Sequence, residues 1–196
     1  AALSIFLVFA FVTGIMLFKS NMYQWQLQSA KQRFGSWIVM LYDSNKEENK
    51  ELKNHPYLNE SGKASIDNYV YEEGECTDIK VGYMTDEFLR IGNISLQCGR
   101  MPEKDDEAAI EWDSLIKLNQ GTQIGQEIHI EVREGSSQTT ETIEKTYKLT
   151  GILNNYTNVW NGGEYIPGIV VTEGEGEAVN RIGKAAYIYS SNYYIN

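Results

Sequence analysis

The feature that most narrows what this chain can fold into is its first eighteen residues. Ala1 to Phe18 is an uninterrupted run of apolar or small uncharged residues. At the rise of an α-helix it covers about 27 Å, just short of the ~30 Å hydrocarbon core of a bilayer. The expectation is a transmembrane helix over residues 1–20, truncated at its N-terminal end, in a chain that begins with Ala and is therefore a piece of a longer protein. A secretory signal peptide would need a basic leading region, which is absent, and a small-residue cleavage site, of which Ser20-Asn21-Met22 is a poor version. Lys19, Tyr23 and Trp25 follow at the depth where amphipathic side chains sit among headgroups. From Asn21 to Arg33 helix formers dominate without Gly or Pro, and Tyr23, Leu27, Ala30 and Phe34 fall on one helical stripe. Residues 21–35 are thus expected to carry the helix out of the membrane as a stalk, with Gly35 ending it.

The remainder, residues 36–196, is expected to be one α+β domain with a mixed or antiparallel sheet and short helices. Trp37–Tyr42 is an apolar run that predicts a strand. Residues 44–55 predict a charged helix stopped by Pro56, so that strand, helix and strand make a βαβ-type beginning. Ala64–Tyr71 and Asp78–Tyr83 predict strands around the acidic turn Glu72–Glu75. Thr85 caps a short helix that Gly92 ends. Thr142–Leu153, Ile169–Val171 and Ala185–Tyr189 predict further strands. Glu134–Gln138 and Glu173–Glu177 read as polar loops.

The best-defined stretch is Leu96 to Val132. An apolar run leaves through Cys98-Gly99-Arg100-Met101-Pro102, a turn off a strand. After an acidic tip, Glu107–Trp112 predicts a short strand, and Asp113 is placed to cap a helix over Ser114–Asn119 that Gly121 would end. Glu127–Val132 alternates polar and apolar residues, the period of a strand with one buried face. In order and spacing, Gly99-Arg100-Met101-Pro102, Asp106-Glu107-Ala108-Ala109-Ile110, the short helix, Gly125-Gln126-Glu127-Ile128 and Leu149-Thr150-Gly151-Ile152 resemble the extracytoplasmic domain of FtsX-like and MacB-like ABC-transporter permeases.

Composition excludes several functions. The net charge is −10, from 27 acids against 17 bases, and all of it follows Phe18. Such a surface repels phosphates, so no nucleic-acid partner is expected. No phosphate-cradling loop is present: around Gly183-Lys184, positions 178 and 185 are both Ala. A G-x-S-x-G elbow is also missing, and His55 and His129 give weak support for a catalytic triad. His129 shares strand parity with Glu127 and Glu131, the signature of a solvated face. The acidic turns at Asp105–Glu107 and Glu173–Glu177 lack calcium-loop spacing. Cys76 and Cys98 lie outside any C-x-x-C, so no metal or other cofactor is expected. Two free thiols are the favoured reading, with a disulfide as the alternative. Three N-x-[ST] sequons are read as chance.

Tyr156, Trp160 and Tyr165, set among Asn and Gly, admit two readings: a contact surface, or a loop that plugs the core. What the resemblance implies is a permease subunit anchored in the bacterial cell membrane, with the residues after about 20 extracytoplasmic. Its partners would be an ABC ATPase subunit, a second permease subunit and the membrane, and no residue here would be catalytic. The alternative reading is the extracytoplasmic ligand-binding domain of a membrane sensor, which would need a concave pocket.

Overall fold

The computed structural model describes residues 2–42, 51–52, 54–134, 142–160, 165–173 and 185–190. Helix α1 runs unbroken over Ala2–Phe34. It ends at Gly35, whose φ of 83° is the left-handed conformation that a side chain disfavours. Among the described residues this is the one helix long and apolar enough to cross a membrane, and none of its apolar window is buried.

Among the described residues nine strands follow: β1 (Trp37–Tyr42), β2 (Glu60–Glu72), β3 (Glu75–Met84), β4 (Leu96–Gly99), β5 (Glu107–Glu111), β6 (Glu127–Glu134), β7 (Ile143–Leu153), β8 (Ile169–Val170) and β9 (Ala185–Ser190). The short helices α2 (Asp86–Ile91) and α3 (Trp112–Lys117) lie between them. Six strands pair in a closed circuit. β2 joins β3 antiparallel, β3 joins β8 parallel and β8 joins β5 antiparallel. β5 then joins β7 parallel, β7 joins β6 antiparallel, and β6 returns to β2 over Asn68–Tyr71. Closure removes the open edges that this set of strands would otherwise present. The sheet is therefore mixed, and the fold is α+β as expected.

The alternation in β6 explains the interior. Ile128, Ile130 and Val132 point inward, where they meet Val70, Tyr147 and Leu149, while Glu127, His129 and Glu131 face solvent. The turn between β2 and β3 has positive φ at Glu73 and Gly74, the pair of conformations that matches the twist of a two-residue hairpin.

Outside the barrel, β9 pairs with the first half of β2, β1 with β9, and β4 with the end of β7. A second core forms on this outer face: α2 contributes Phe88, Leu89 and Ile91, and the strands contribute Ala64, Val170 and Ile188. The βαβ-type beginning is modified here, because β9 inserts between β1 and β2 and pairs antiparallel with both. The helix expected over 44–55 falls largely outside the described residues, with Glu51 and Leu52 helical within it. Most of the two polar loops, Glu134–Gln138 and Glu173–Glu177, also falls outside them.

Candidate functional site

The residues that carry the family resemblance meet where β4, β5 and β7 join. Gly99 has φ 81°, and a Cβ there would lie 2.2 Å from the Thr150 carbonyl oxygen. A Cβ at Gly151 would lie 2.4 Å from the Arg100 carbonyl oxygen, so both glycines permit one close backbone crossing. Across it, Arg100 N–H donates to Thr150 O at 2.8 Å. The Arg100 guanidinium then forks onto Glu107, with Nη1 donating to Oε2 at 2.8 Å and Nη2 to Oε1 at 2.7 Å. Glu103 N–H donates to the same carboxylate at 3.0 Å. The Arg100 hydrogen bonds first, and the Glu103 N–H second, hold the Glu107 carboxyl down to about 2. Thr150 Oγ1 donates to Ala108 O, and the Gly125 N–H to Leu149 O. The pattern G-R-x-P, acidic-E, G-x-x-I and L-T-G-I is therefore a structural fastening of three strands.

A second constellation joins α1 to the sheet. Thr85 Oγ1 accepts Phe88 N–H and starts α2 as expected. Its end is closed by Asn93 in the left-handed conformation, with Ile94 N–H donating to Leu89 O and Asn93 N–H to Arg90 O. Asn93 also serves α1, because its side-chain amide donates to the Gln32 carbonyl in the last turn of that helix. Ser36 N–H donates to Ile91 O at 2.7 Å, and Trp37 Nε1 to Phe34 O at 2.7 Å. Gly35 is pressed against α2 so closely that a Cβ would lie 2.1 Å from Ile91 O. The Trp37 ring lies 5.6 Å from that of Trp160, which in turn lies 5.7 Å from Phe88. α1 thus ends in a built joint of hydrogen bonds and tilted ring contacts.

The third constellation anchors the loop after β7. Glu111 is 0% exposed. Its Oε1 accepts the N–H groups of Tyr156 at 2.6 Å and Thr157 at 2.8 Å, while its Oε2 accepts the hydroxyls of Thr157 at 2.7 Å and Ser114 at 3.2 Å. Four donors offset the cost of burying the carboxylate. Asp113 adds bonds to the Asn155 and Asn158 side chains. This corrects the expected helix cap. α3 begins at Trp112 with Glu111 in the cap position and no side-chain cap bond, and Asp113 lies in its first turn. The helix closes at Leu118 and Asn119, the latter at φ 49°, before Gly121 is reached.

Tyr156 is 2% and Trp160 8% exposed, so in this structure both rings lie in the second core. Tyr156 Oη donates to Pro167 O at 2.6 Å, and burial, then the Glu111 charge, pushes its phenol well above the usual range. Tyr165 is half-buried, with its ring 4.3 Å from that of Tyr42. The signal missed in the sequence was Glu111, an acid that closes the apolar run Ala108–Ile110 of β5. Cys76 and Cys98 are free and exposed. His129 is exposed, with Nδ1 3.0 Å from Thr146 Oγ1. Among the described residues, no group of three or more His, Cys, Asp or Glu side chains is arranged to hold a metal ion.

No protein-family model matches the chain, and no curated protein matches it. Among solved structures, it is similar to the periplasmic region of MacB from Actinobacillus actinomycetemcomitans, at 8% identity and a TM-score of 0.44, over 87% of this chain and 81% of that one. It is also similar to the extracellular domain of the noncanonic ABC-type transporter YknZ from Gram-positive bacteria, at 14% identity and a TM-score of 0.40, over 76% of this chain and 73% of that one.

Proposed function

We propose that this chain is the first transmembrane helix, stalk and extracytoplasmic domain of an ABC-transporter permease of the FtsX-like or MacB-like type, and that its work is mechanical. In this reading residues 1–20 lie in the membrane, 21–35 form the stalk, and 36–196 form the domain outside. An ABC ATPase on the cytoplasmic side drives a pair of permease subunits, and each stalk moves the domain fastened to it. The observation that carries the reading is the continuity of α1 from Ala2 to Phe34 into the joint with α2, since a lever transmits motion only if it is stiff and fixed at its end. The motif shared with the permeases supports it from the sequence side. Export, handling of lipids or peptides, and signalling to cell-wall enzymes all fit such a machine.

The test is to read the coding sequence on both sides of these residues, together with the adjacent reading frame. Three further hydrophobic segments and a neighbouring or fused P-loop ATPase are expected. One second membrane helix followed by a signalling domain would make the protein a sensor. A groove of about 740 Å³ at the barrel end, lined by Tyr71, Thr77, Gln120 and His129 among others, is the feature that favours that second reading. A saturable small ligand that raises the melting temperature would support it.

A further inference from the structure

We propose that the turn from Tyr156 to Trp160 is a coupling piece between α1 and the barrel, and that Glu111, which bonds to this turn rather than to α1, is a positioning residue that sets how firmly α1 is docked. The inference rests on the geometry of the joint, and the mechanical reading above gives it a purpose.

The turn has two ends with different attachments. At one end Glu111, on the barrel strand β5, holds the N–H groups of Tyr156 and Thr157 and the Thr157 hydroxyl. At the other end Trp160 packs between Trp37, two residues after the stalk's terminal glycine, and Phe88 of α2. The stretch between is rigid: Val159 N–H donates to Tyr156 O at 2.9 Å, and Trp160 N–H to Tyr156 O and Thr157 O at 3.2 Å each. The Trp160 ring also lies on Gly92, where a Cβ would be 3.0 Å from Cζ2. Gly92 is the cap of α2, and Ile91 just before it accepts the Ser36 N–H. Loosening the turn at Glu111 therefore withdraws the ring against which Trp37 and α2 are set. Packed interiors pass displacement in this way because they have little room to absorb it.

The experiment is residue-resolved hydrogen exchange on the full chain in lipid nanodiscs, without any ATPase, comparing the native protein with Glu111→Gln. The expected result is exchange at the Tyr156, Thr157 and Ser36 amides faster by about tenfold or more, with the β6 amides changed by less than about twofold. Faster exchange at Tyr156 and Thr157 with Ser36 unchanged would overturn the proposal, as would equal acceleration everywhere, the mark of global destabilisation alone. If Glu111→Gln does not fold, Thr157→Val removes one donor to the same carboxylate at constant shape. It should give the same ranking at about threefold. Because no ATPase is involved, failure here leaves the permease reading standing, and failure of that reading leaves this result unaffected.

Discussion

Replacing Trp160 with alanine tests the second core at its most loaded point. The side chain is 8% exposed and its ring contacts Trp37 and Phe88, so the substitution loses burial, opens a cavity and breaks two aromatic pairs. Truncating a buried Trp costs about 3–5 kcal/mol, and two ring pairs of about 0.5–1.5 kcal/mol each place this site toward the upper end. For a domain of this size each kcal/mol lowers the melting temperature by about 2–4 °C, so about 5 kcal/mol becomes a fall of roughly 10–20 °C. Thermal melting of the full chain in detergent, followed by far-UV circular dichroism, measures it. Tyr165→Ala, at a half-buried ring, should cost less than half as much. A fall of less than about 3 °C for Trp160→Ala would refute the core assignment and return the ring to the role of a surface contact.

Three other outcomes follow from the same contacts. Gly35→Ala forces a side chain into the left-handed region and toward Ile91 O, so it should destabilise by more than about 2 kcal/mol in urea titration, and a change within about 0.5 kcal/mol would contradict the joint. Because Glu107 is held down to about 2, its contribution to stability is fully present above its ordinary value of 4.5 and is lost as pH falls through about 2. Arg100→Gln should therefore lower the urea midpoint at pH 7, with the difference from the native protein shrinking between pH 4.5 and 2; a constant difference across that window would contradict it. Both Cys76 and Cys98 should react with a thiol reagent in the folded, unreduced chain, as read by mass, and a protein two hydrogens lighter with no label would show a disulfide instead.

Elements set by local chemistry were legible in the sequence. The uncharged run to Phe18, the alternation of Ile128, Ile130 and Val132, and the Thr85 cap with its Gly92 stop each follow from a few neighbouring residues, and each stands where expected. What the sequence did not disclose depends on distant partners. Closure of the barrel needs Asn68–Tyr71 on β2 to meet β6, more than fifty residues on, and nothing local marks that pairing. The insertion of β9 between β1 and β2 is of the same kind. Asp113 has the right chemistry for a cap, but the helix starts two residues earlier, at Trp112, and Glu111 in the cap position directs its carboxylate to a loop 45 positions away. The same bond holds Tyr156 at its buried place, a choice between core and surface that the sequence left open. The motif of the permease resemblance was legible as a pattern, whereas its physical content, two glycines at a backbone crossing and a forked Arg100–Glu107 pair, required the structure.

In the proposed function, α1 moves the domain outside the membrane as a stiff lever. This is tested by the distance between spin labels at the exposed Glu127 position of two copies in the proposed complex with an ABC ATPase, measured with and without a trapped ATP analogue. A nucleotide-dependent change in the distance distribution is expected, and it should disappear when Gly-Gly is inserted after Gln28, since two glycines in α1 break the lever without touching the domain. A distribution that ignores nucleotide, or a change that survives the insertion, would contradict it.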